Sequence, residues 1–581
     1  MDLVRGGAVT ATSLACPKQG RCPGCPLGAE PYADGLAKKG RALASSLAAY
    51  ASLEPELLEP RAASPTLAYR LRAKLVTHGD ALGLFEQGSH RVVDVAGCRV
   101  LSPALTRASA ALRRLLPLPI YGADLRETSE GVLVTLLTEQ PAARALLEAA
   151  ARALVEREEA LSVAISVRRA GGVRLLASEP TLAFGPAAAK HALSEGAPYA
   201  YAAHGGFVQA HAAQASYVHS ELARGLRERL AGTSTPALLE LFAGNGSLAL
   251  ALARSGARVT AVEAYQPAIA LAERAAREQG LELEAFASDA TRFAQTAASR
   301  RFDAVIVNPP RRGLEPELRA AIGRSAPRVL AYVSCNPHTL ARDAWHLQRL
   351  GLALERAEPL DMIPWSDALE VLAWFHRGEP PAPRVLFEDE QSLAVEKAPH
   401  ERVLEPLGEL VSLTTRVRRL PGCESAVALD SWGQGVSGVC WFAKTSGAAA
   451  ELRSQLGLER ELVVLARGNL RKQGTVTRRS NGQQARGARY RKRADVGRHS
   501  LLTLFIDESK EDGAFADLAS IRHPVLGDAT RGDAATNDFS QHRHGLDRPF
   551  VHVRTSQLNG AAACSELAPD LTRVLESLGS D

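Results

Sequence analysis

The sequence has no apolar run of about 18 or more residues, the length that a membrane-spanning helix requires. Its N-terminal stretch, MDLVRGGAVTATSLACPKQG, also lacks the continuous apolar core of a secretory signal. Cysteine is scarce as well: 8 in 581 residues are too few for a disulfide framework. We therefore expect a cytoplasmic protein without a membrane partner, in which clustered cysteines indicate metal binding or catalysis.

The sequence also has only a small excess of positive charge. The formal net charge is +5, from 69 Lys and Arg against 64 Asp and Glu, so the total indicates no partner. The distribution is more informative, because residues 467–498 carry many Lys and Arg but a single acid, Asp495. A composition of 46% hydrophobic and 23% charged residues is typical of globular proteins, and the length suggests several domains.

Changes in pattern along the chain predict five segments. A stretch rich in Cys, Gly and Pro, followed by a helical pattern, occupies residues 1–66. Short β-like runs mixed with Ala-rich helices predict an α+β region at 67–193. Strands alternating with helices predict a doubly wound α/β domain at 194–377, which a Pro-rich linker at 378–384 joins to a separate α+β domain at 385–581.

The α/β domain contains five runs that each resemble a buried parallel strand ending in polar or Gly residues. They are ALLELFAGNGS, ARVTAVEAY, LEAFASDA, FDAVIVNPP and RVLAYVSCN. In doubly wound sheets, ligands bind beyond the carboxyl ends of the strands. The residues at those ends are Gly244, Glu263, Asp289, Asn308 and Cys335, which we predict to surround a site.

The first of these strand ends favours a nucleotide-like cofactor. Gly244-x-Gly246 would let the backbone approach a ligand closely. A carboxylate at Glu263 can accept two ribose hydroxyl hydrogen bonds, and Asp289 would lie near an adenine amino group. A dinucleotide site would have a third glycine, where this chain has Ala249. S-adenosylmethionine is therefore favoured over NAD, and a domain without a nucleotide remains the alternative.

Three later motifs carry a more specific signal. They are VNPPRRG, YVSCNPHTLARD and LDMIPWSDALEVLAWF. Together they resemble the RNA uracil-C5 methyltransferases, and Asn-Pro-Pro-Arg-Arg-Gly is similar to the branch that modifies 23S rRNA. The resemblance covers most of residues 14–377. It implies a Rossmann-like methyltransferase domain at 194–377, preceded by an RNA-binding domain at 67–193.

The resemblance implies that Cys335 is the nucleophile. A thiolate that adds to C6 of uracil makes C5 nucleophilic, so that C5 can take the methyl group of S-adenosylmethionine. Glu370 matches the base that removes the C5 proton so that the cysteine can leave. An ordinary cysteine has a pKa of about 8.5, so Cys335 needs activation by a group that the sequence does not identify. Trp365 and Ala368 depart from the family, whose members often have His around the base.

The same resemblance implies the cofactor contacts. Gln209 matches the family glutamine at the methionine end of the cofactor, and Phe242 and Glu263 match its other contacts. Asn308 matches the residue beside the methyl-transfer site, where many relatives carry Asp.

Four cysteines near the N-terminus predict a metal site. Cys16, Cys22 and Cys25 form C-x5-C-x2-C, and Cys98 lies far downstream. Their spacing fits zinc and an iron–sulfur cluster equally well. The resemblance implies a structural 4Fe-4S cluster, with unmetallated thiols as the alternative. Many relatives carry a small β-barrel RNA-binding domain before the cysteines, and we expect it to be absent here.

The C-terminal segment has a resemblance of its own. RVLFEDEQSLAVEKAP, GVSGVCWFAKTSGAA and RHPVLGDATRGDAATNDFSQHRHGLDRPFVHV look like pieces of the pseudouridine synthase family, in order, over residues 385–557. The family aspartate would stand four residues before Ser437, at Gly433, and Asp430 falls where His is expected. Leu462 replaces the active-site tyrosine and Phe515 the arginine. We therefore expect a degenerate synthase domain, unless a local insertion restores Asp430.

The basic segment RGNLRKQGTVTRRSNGQQARGARYRKR lies within this domain. Its Gly and Gln content favours a flexible loop. Its positive charge favours a segment that binds RNA phosphates over one that is only exposed to solvent. Tyr490 is its only aromatic residue, so we expect little base stacking.

The combined prediction is a methyltransferase dependent on S-adenosylmethionine that modifies uracil C5 in RNA. The favoured substrate is 23S rRNA, with tRNA as the second candidate. The residues also leave open a bifunctional methyltransferase and pseudouridine synthase, and a non-catalytic RNA-binding assembly factor. No protein partner is predicted.

Overall fold

A computed structural model describes most of the chain. The described ranges are 13–50, 52–168, 179–297, 299–404, 411–454, 460–480, 483–506 and 512–579. None of the helices in these ranges is both long and apolar enough to cross a membrane.

The first large sheet lies in the N-terminal third of the chain and is covered by two helices. The elements up to its end are α1 (Tyr32–Ala48), β1 (Glu56–Leu57), β2 (Arg72–His78), β3 (Ala81–Phe85), β4 (Val92–Asp94), α2 (Pro103–Arg114), β5 (Gly122–Glu127), β6 (Val132–Thr138), α3 (Arg144–Glu156), β7 (Ser162–Val167) and β8 (Thr181–Phe184). The strand order is β4-β3-β2-β5-β6-β7-β8, and β6 and β7 run parallel. Apolar residues seven positions apart, such as Leu105 and Leu112 in α2, bury one side of each helix against the sheet.

A second, eight-stranded sheet follows a short hairpin. The hairpin and the sheet comprise β9 (Ala188–His191), β10 (Ala200–Ala203), α4 (Ala212–Arg229), β11 (Ala237–Leu241), α5 (Ser247–Arg254), β12 (Arg258–Glu263), α6 (Gln266–Glu278), β13 (Leu283–Ala287), α7 (Ala290–Thr296), β14 (Ala304–Val307), α8 (Pro316–Ser325), β15 (Val329–Ser334), α9 (Pro337–Arg349), β16 (Leu352–Leu360) and β17 (Glu370–Arg377). The order is β1-β16-β17-β15-β14-β11-β12-β13, and β17 runs antiparallel to both neighbours.

This second sheet has helices on both faces, as the alternation of strands and helices predicts. Its central strands are continuous apolar runs, because both sides of them are buried: all four residues of β14 are inaccessible to solvent. Helices α4, α5 and α6 cover one face, and α1, α7, α8 and α9 cover the other. The predicted doubly wound α/β fold is confirmed. Helix α1 and strand β1, placed by the sequence in a separate segment, pack against this sheet.

The third sheet lies in the C-terminal part of the chain. Its elements are β18 (Val385–Glu388), β19 (Ser392–Lys397), α10 (Leu413–Val417), β20 (Val427–Ala428), β21 (Ser437–Ala443), α11 (Ser446–Ser454), β22 (Arg460–Arg467), β23 (Gln473–Ser480), β24 (Gln483–Val496), β25 (His499–Ile506), α12 (Asp512–Ser520), α13 (Ala534–His544), β26 (Val551–Leu558), β27 (Ala561–Cys564) and α14 (Pro569–Gly579). The order is β18-β19-β21-β26-β22-β25-β24-β23, with β20 beside β21 and β27 beside β26.

The basic segment is not the loop that the sequence predicted. It forms β23 and β24, which pair antiparallel and extend the third sheet. Val476, Ala488 and Tyr490 enter the core, and Ala488 and Tyr490 alternate along β24 with the exposed Arg489 and Arg491. The many charged residues of the segment obscured this alternation of buried and exposed positions in the sequence. Residues 481 and 482 at the tip, and the side chains of 477–480 and 483–487, lie outside the described part.

Candidate active site

A cavity of about 730 Å³ opens at the carboxyl edge of the second sheet. Parallel strands β11, β12, β14 and β15 end there together, so the residues that follow each strand surround the same space. The cavity brings together most residues that the sequence singled out for catalysis and cofactor binding. They are Gln209, Phe242, Gly244, Glu263, Asn308, Cys335 and Glu370.

Glu263 is held firmly at the end of β12. The backbone N–H of Gly244 donates to one carboxylate oxygen of Glu263 at 3.0 Å, and that of Tyr265 donates to the other at 2.9 Å. Gly244 has a φ of +57°, a conformation that favours glycine at this turn. Each carboxylate oxygen can accept more than one hydrogen bond, so a ribose diol can still bind to Glu263.

Two predicted cofactor residues lie outside the described lining of this cavity. One oxygen of Asp289 accepts from the N–H of Arg292 at 3.0 Å, so Asp289 caps helix α7. Gly246 has a φ of +75° and packs against α6, where an added Cβ would come 2.6 Å from that of Ala272. Both residues therefore shape the elements around the cavity, and neither forms its wall.

Cys335 and Glu370 share the cavity with Arg311, a residue that the sequence analysis quoted but gave no role. Burial and the charge of Glu370 raise the pKa of the Cys335 thiol, whereas the charge of Arg311 and its hydrogen bond to the thiol lower it. Burial also raises the pKa of Glu370 to about 7, against the opposing effect of Arg311. Arg311 therefore favours the ionised form of both groups. Its place in VNPPRRG, three residues after Asn308, was the available signal.

The loop that carries Arg311 is anchored to the helix after Cys335. Asn336, the residue before α9, donates its side-chain N–H to the carbonyl of Arg311 at 2.9 Å. Arg342 in α9 donates to the carbonyl of Arg312 at 2.8 Å. Gly313 has a φ of +75°, and an added Cβ would lie 2.8 Å from the guanidinium of Arg342. These contacts fix the position of Arg311 relative to Cys335.

Further ionisable groups that the sequence analysis missed also line the cavity: Arg70, Arg72, Lys74, His191, His219 and Glu240. Glu240 lies inside β11, and burial raises its pKa to about 8. One of its carboxylate oxygens has no hydrogen-bond partner among the described residues. Burial lowers the pKa of His219 in α4 to about 4. The isolated carboxylate in the apolar run ALLEL was the signal for Glu240.

The four predicted metal ligands, Cys16, Cys22, Cys25 and Cys98, line a second and much smaller cavity of about 70 Å³. All four are half-buried and free of disulfides. Burial raises the pKa of Cys25 to about 12, and the neighbouring cysteines add to this shift. Within the described ranges, no three Cys, His, Asp or Glu residues are arranged to hold a single metal ion.

Trp365, one of the departures from the resembling family, packs beside the cysteine cavity. Its indole N–H donates to the carbonyl of Thr66 at 2.9 Å, and its ring lies 5.2 Å from that of Tyr32. Its own carbonyl accepts from the N–H of Leu27 at 3.0 Å. Trp365 thus joins the cysteine segment to the strand that begins at Glu370.

Asp430, the candidate catalytic aspartate of the C-terminal part, is enclosed. Its side chain has no solvent-accessible surface, and Arg460 donates to one of its oxygens at 2.5 Å. The backbone N–H of Trp441 donates to the other oxygen at 2.8 Å. Leu462 and Phe515, at the two positions where the resembling family has Tyr and Arg, are buried in the same core. A substrate could reach Asp430 only after this core opened.

The chain is similar to known proteins over part of its length. The family described as tRNA (Uracil-5-)-methyltransferase matches residues 31–377. The chain is 33% identical over 373 residues to 23S rRNA (uracil(1939)-C(5))-methyltransferase RlmD of Pseudomonas aeruginosa, covering 62% of this chain and 80% of that protein. It is 39% identical over 158 residues to 23S rRNA (uracil(747)-C(5))-methyltransferase RlmC of Shewanella baltica, covering 27% of this chain and 40% of that protein.

One solved structure shares the fold of the larger part of the chain. It is the Pyrococcus abyssi tRNA (uracil-54, C5)-methyltransferase in complex with S-adenosyl-L-homocysteine. The TM-score is 0.50 at 23% sequence identity, and the match covers 64% of this chain and 88% of that one.

Proposed function

Because the chain belongs to the tRNA (Uracil-5-)-methyltransferase family, we propose that it methylates a uridine of 23S rRNA through a covalent bond to Cys335. Its general activity, methylation of uracil C5 in RNA with S-adenosylmethionine, follows from the family. The 23S target rests on relatives at 33% and 39% identity that carry 23S rRNA names. A tRNA target is the second candidate, and a cytoplasmic location stays a prediction.

In the proposed mechanism Cys335 is the nucleophile and Glu370 is the base, and the charge of Arg311 favours the ionised form of both. The Cys335 thiolate adds to C6 of uracil, and the electron pair of the C5–C6 bond moves toward the C4 carbonyl. When bound, S-adenosylmethionine supplies an electrophilic methyl group on a sulfonium. Glu370 then removes the C5 proton, the C6–S bond breaks, and the thiolate is restored. A pKa of about 7 suits Glu370 to this role, because a general base works best near the operating pH.

The proposed cofactor site is the wall around Glu263. Gly244 and Phe242 lie at the turn after β11, and Gln209 and Asn308 line the same cavity as Cys335. In this arrangement Glu263 would bind the ribose hydroxyls, and Asn308 and Gln209 would lie at the methyl-donor end. Asp289 and Gly246 would support the site indirectly, through helices α7 and α6.

The cysteine cavity is the proposed site of a 4Fe-4S cluster. Four cysteines around one enclosed space match the ligand set of such a cluster. The cysteines would hold the cluster as a structural element, since methyl transfer needs no electrons. Zinc is the competing occupant.

The C-terminal segment is proposed to be a degenerate pseudouridine-synthase-like domain that helps to bind RNA. The enclosure of Asp430 and the apolar residues at 462 and 515 support the loss of synthase activity. The boundaries 1–66, 67–193, 194–377, 378–384 and 385–581 stay proposals.

The test is methyl transfer by the purified, anaerobically reconstituted protein. Unmodified 23S rRNA and tRNA transcripts would be incubated with methyl-labelled S-adenosylmethionine, and the nucleosides analysed by mass spectrometry. We expect label in 5-methyluridine from 23S rRNA, lost in Cys335→Ala and retained in Cys564→Ser, which changes an exposed cysteine far from the cavity in sequence. Label in tRNA alone would transfer the proposal to that substrate. Label in neither RNA would overturn it in favour of a binding factor.

A further inference from the structure

The third sheet presents a row of arginines on one of its faces. Strand β24 places Arg489 and Arg491 on the side opposite to Ala488 and Tyr490, because successive side chains of a strand point to opposite faces. Both arginines are exposed, as is Arg493 beyond them, whereas Ala488 and Tyr490 are buried in the core. The strand therefore separates an apolar side from a basic side.

This basic side is open to solvent along the arginine row. Helix α12 packs on the opposite side of the sheet, where Phe515 and Leu518 share the core with Ala488 and Tyr490. Helix α14 covers the arginine side only at the end of β24, around Val496. The space above Arg489, Arg491 and Arg493 is thus left free by the described helices.

The arginines are held in place by neighbours on the adjacent strand. The guanidinium of Arg489 lies 4.6 Å from the ring centre of Phe505, and that of Arg491 lies 5.8 Å from it. Arg493 donates to the Thr503 hydroxyl at 2.6 Å. These contacts reduce the side-chain entropy that each arginine would lose on binding a ligand.

Charge on this face is strongly one-sided. Arg554 of strand β26 is exposed close to Arg493, and burial together with Arg554 lowers the pKa of Arg493. Glu461 is the acid that faces the same group. Asp495, the acid of β24 itself, pairs with Lys492 at 2.9 Å. A face with four arginines and one such acid attracts a polyanion.

We propose that this arginine face, formed by Arg489, Arg491, Arg493 and Arg554 with Phe505, binds the phosphate backbone of the substrate RNA outside the catalytic cavity. The inference rests on the proposed function for the identity of the polyanion. Arg489 and Arg491 lie two residues apart on a regular part of the strand and are separated by about 6.6 Å. Arg493 follows at a β-bulge, so the three arginines can meet neighbouring phosphates of an extended nucleic-acid strand. Arginine suits this contact, because its planar donors match phosphate oxygens in pairs. Such contacts add affinity without selecting the base.

The experiment compares matched variants of the full-length protein. The face variant is R489Q/R491Q/R493Q, and R489K/R491K/R493K keeps its charge. The control R227Q/R254Q/R277Q removes the same charge from exposed positions on α4, α5 and α6. Binding to an unmodified 23S rRNA transcript would be measured by filter retention between 50 and 200 mM salt (about the range over which phosphate contacts dominate), and methyl transfer with the same RNA would be measured in parallel.

We expect the face variant to bind about ten-fold more weakly, with a salt slope smaller by about 2, since each phosphate contact to a single strand contributes about 0.7. Its kcat at saturating RNA should stay unchanged, and the control variant should bind like the unsubstituted protein. The lysine variant should keep the salt slope, because its charge is unchanged, and bind with an affinity between those of the face variant and the unsubstituted protein. Wild-type affinity and slope in a face variant that still methylates RNA would overturn this inference alone. Loss of methyl transfer in every protein, with the binding difference intact, would overturn the proposed function and leave the RNA-binding face.

Discussion

The carboxylate of Asp547 lies 3.2 Å from the guanidinium of Arg342, and this ion pair joins the C-terminal part of the chain to the helix that follows Cys335. Arg319 of α8 contacts the same carboxylate at 3.0 Å. Arg342 also holds the carbonyl of Arg312, one residue from Arg311. A residue outside the matched family region therefore braces the loop that supplies a charge to the active site.

Replacing Asp547 with Asn should impair catalysis as well as stability. Although burial opposes its ionisation, Arg342, His400 and Arg319 hold the pKa of Asp547 well below its usual range. The pair therefore stabilises the fold at any pH above the ordinary carboxyl range, and this contribution disappears as pH falls through the lowered pKa. We expect a loss of about 3–5 kcal/mol in unfolding free energy and a lower kcat, measured by denaturation and methyl-transfer assays.

Asp570→Asn is the control, because Asp570 forms a buried pair with Arg548 within the C-terminal part. It should lose stability without a change in kcat at a temperature where both variants are folded. An unchanged kcat in folded Asp547→Asn would show that the pair does not position the loop.

Replacing Arg311 with Gln should shift the pH dependence of methyl transfer to higher pH. Arg311 lowers the pKa of both Cys335 and Glu370, and both groups act in their ionised forms. Without this charge both pKa values rise, so the ascending limb of kcat/KM against pH should move to higher pH. Arg312→Gln is the matched control, since that side chain pairs with Glu315 at the surface. Identical profiles for the two variants would remove Arg311 from the mechanism.

Replacing Glu370 with Gln should trap the protein on its RNA. An amide cannot accept the C5 proton, so the methylated adduct on Cys335 should persist. We expect an RNA-linked band on a denaturing gel that increases with S-adenosylmethionine and is missing in Cys335→Ala/Glu370→Gln. Rapid release of 5-methyluridine by Glu370→Gln would assign the base to another residue.

Substitutions of Glu263 and Asp289 should differ in their effect on the affinity for S-adenosylmethionine. Glu263→Gln removes a charged acceptor in the cavity, and we expect S-adenosylmethionine to bind about 10- to 100-fold more weakly by calorimetry. Asp289→Asn keeps a side-chain oxygen that can cap α7, so stability should change little and affinity should stay close to wild type. Equal losses of affinity would support the sequence prediction that Asp289 contacts the cofactor.

Changing Cys98 to Ser should remove iron from the anaerobically reconstituted protein. We expect close to four irons and four sulfides per chain in the unsubstituted protein, from the composition of the cluster, and a large loss in Cys98→Ser. Cys564→Ser should retain both, because Cys564 is exposed and far from the cavity lining. Stoichiometric zinc without sulfide would establish the competing metal.

The sequence by itself determined the second sheet and most of its cavity. Apolar runs that end at Gly244, Glu263, Asn308 and Cys335 form parallel strands because both faces of such strands must be buried, and parallel strands end at one edge. Glu370 could be placed with them only through its resemblance to a family. The local sequence pattern was therefore sufficient to place residues that directly follow a buried parallel strand.

Tertiary structure alone decided the roles that depend on contacts between distant segments. It placed Arg311 beside Cys335 and Glu370, and Asp547 beside Arg342. It also turned the basic segment into a strand pair, because three buried side chains outweighed a composition that suggested a loop. The chemistry of each group depends on its burial and on the charges around it, and both depend on its packing partners. The packing partners cannot be read from the order of residues along the chain.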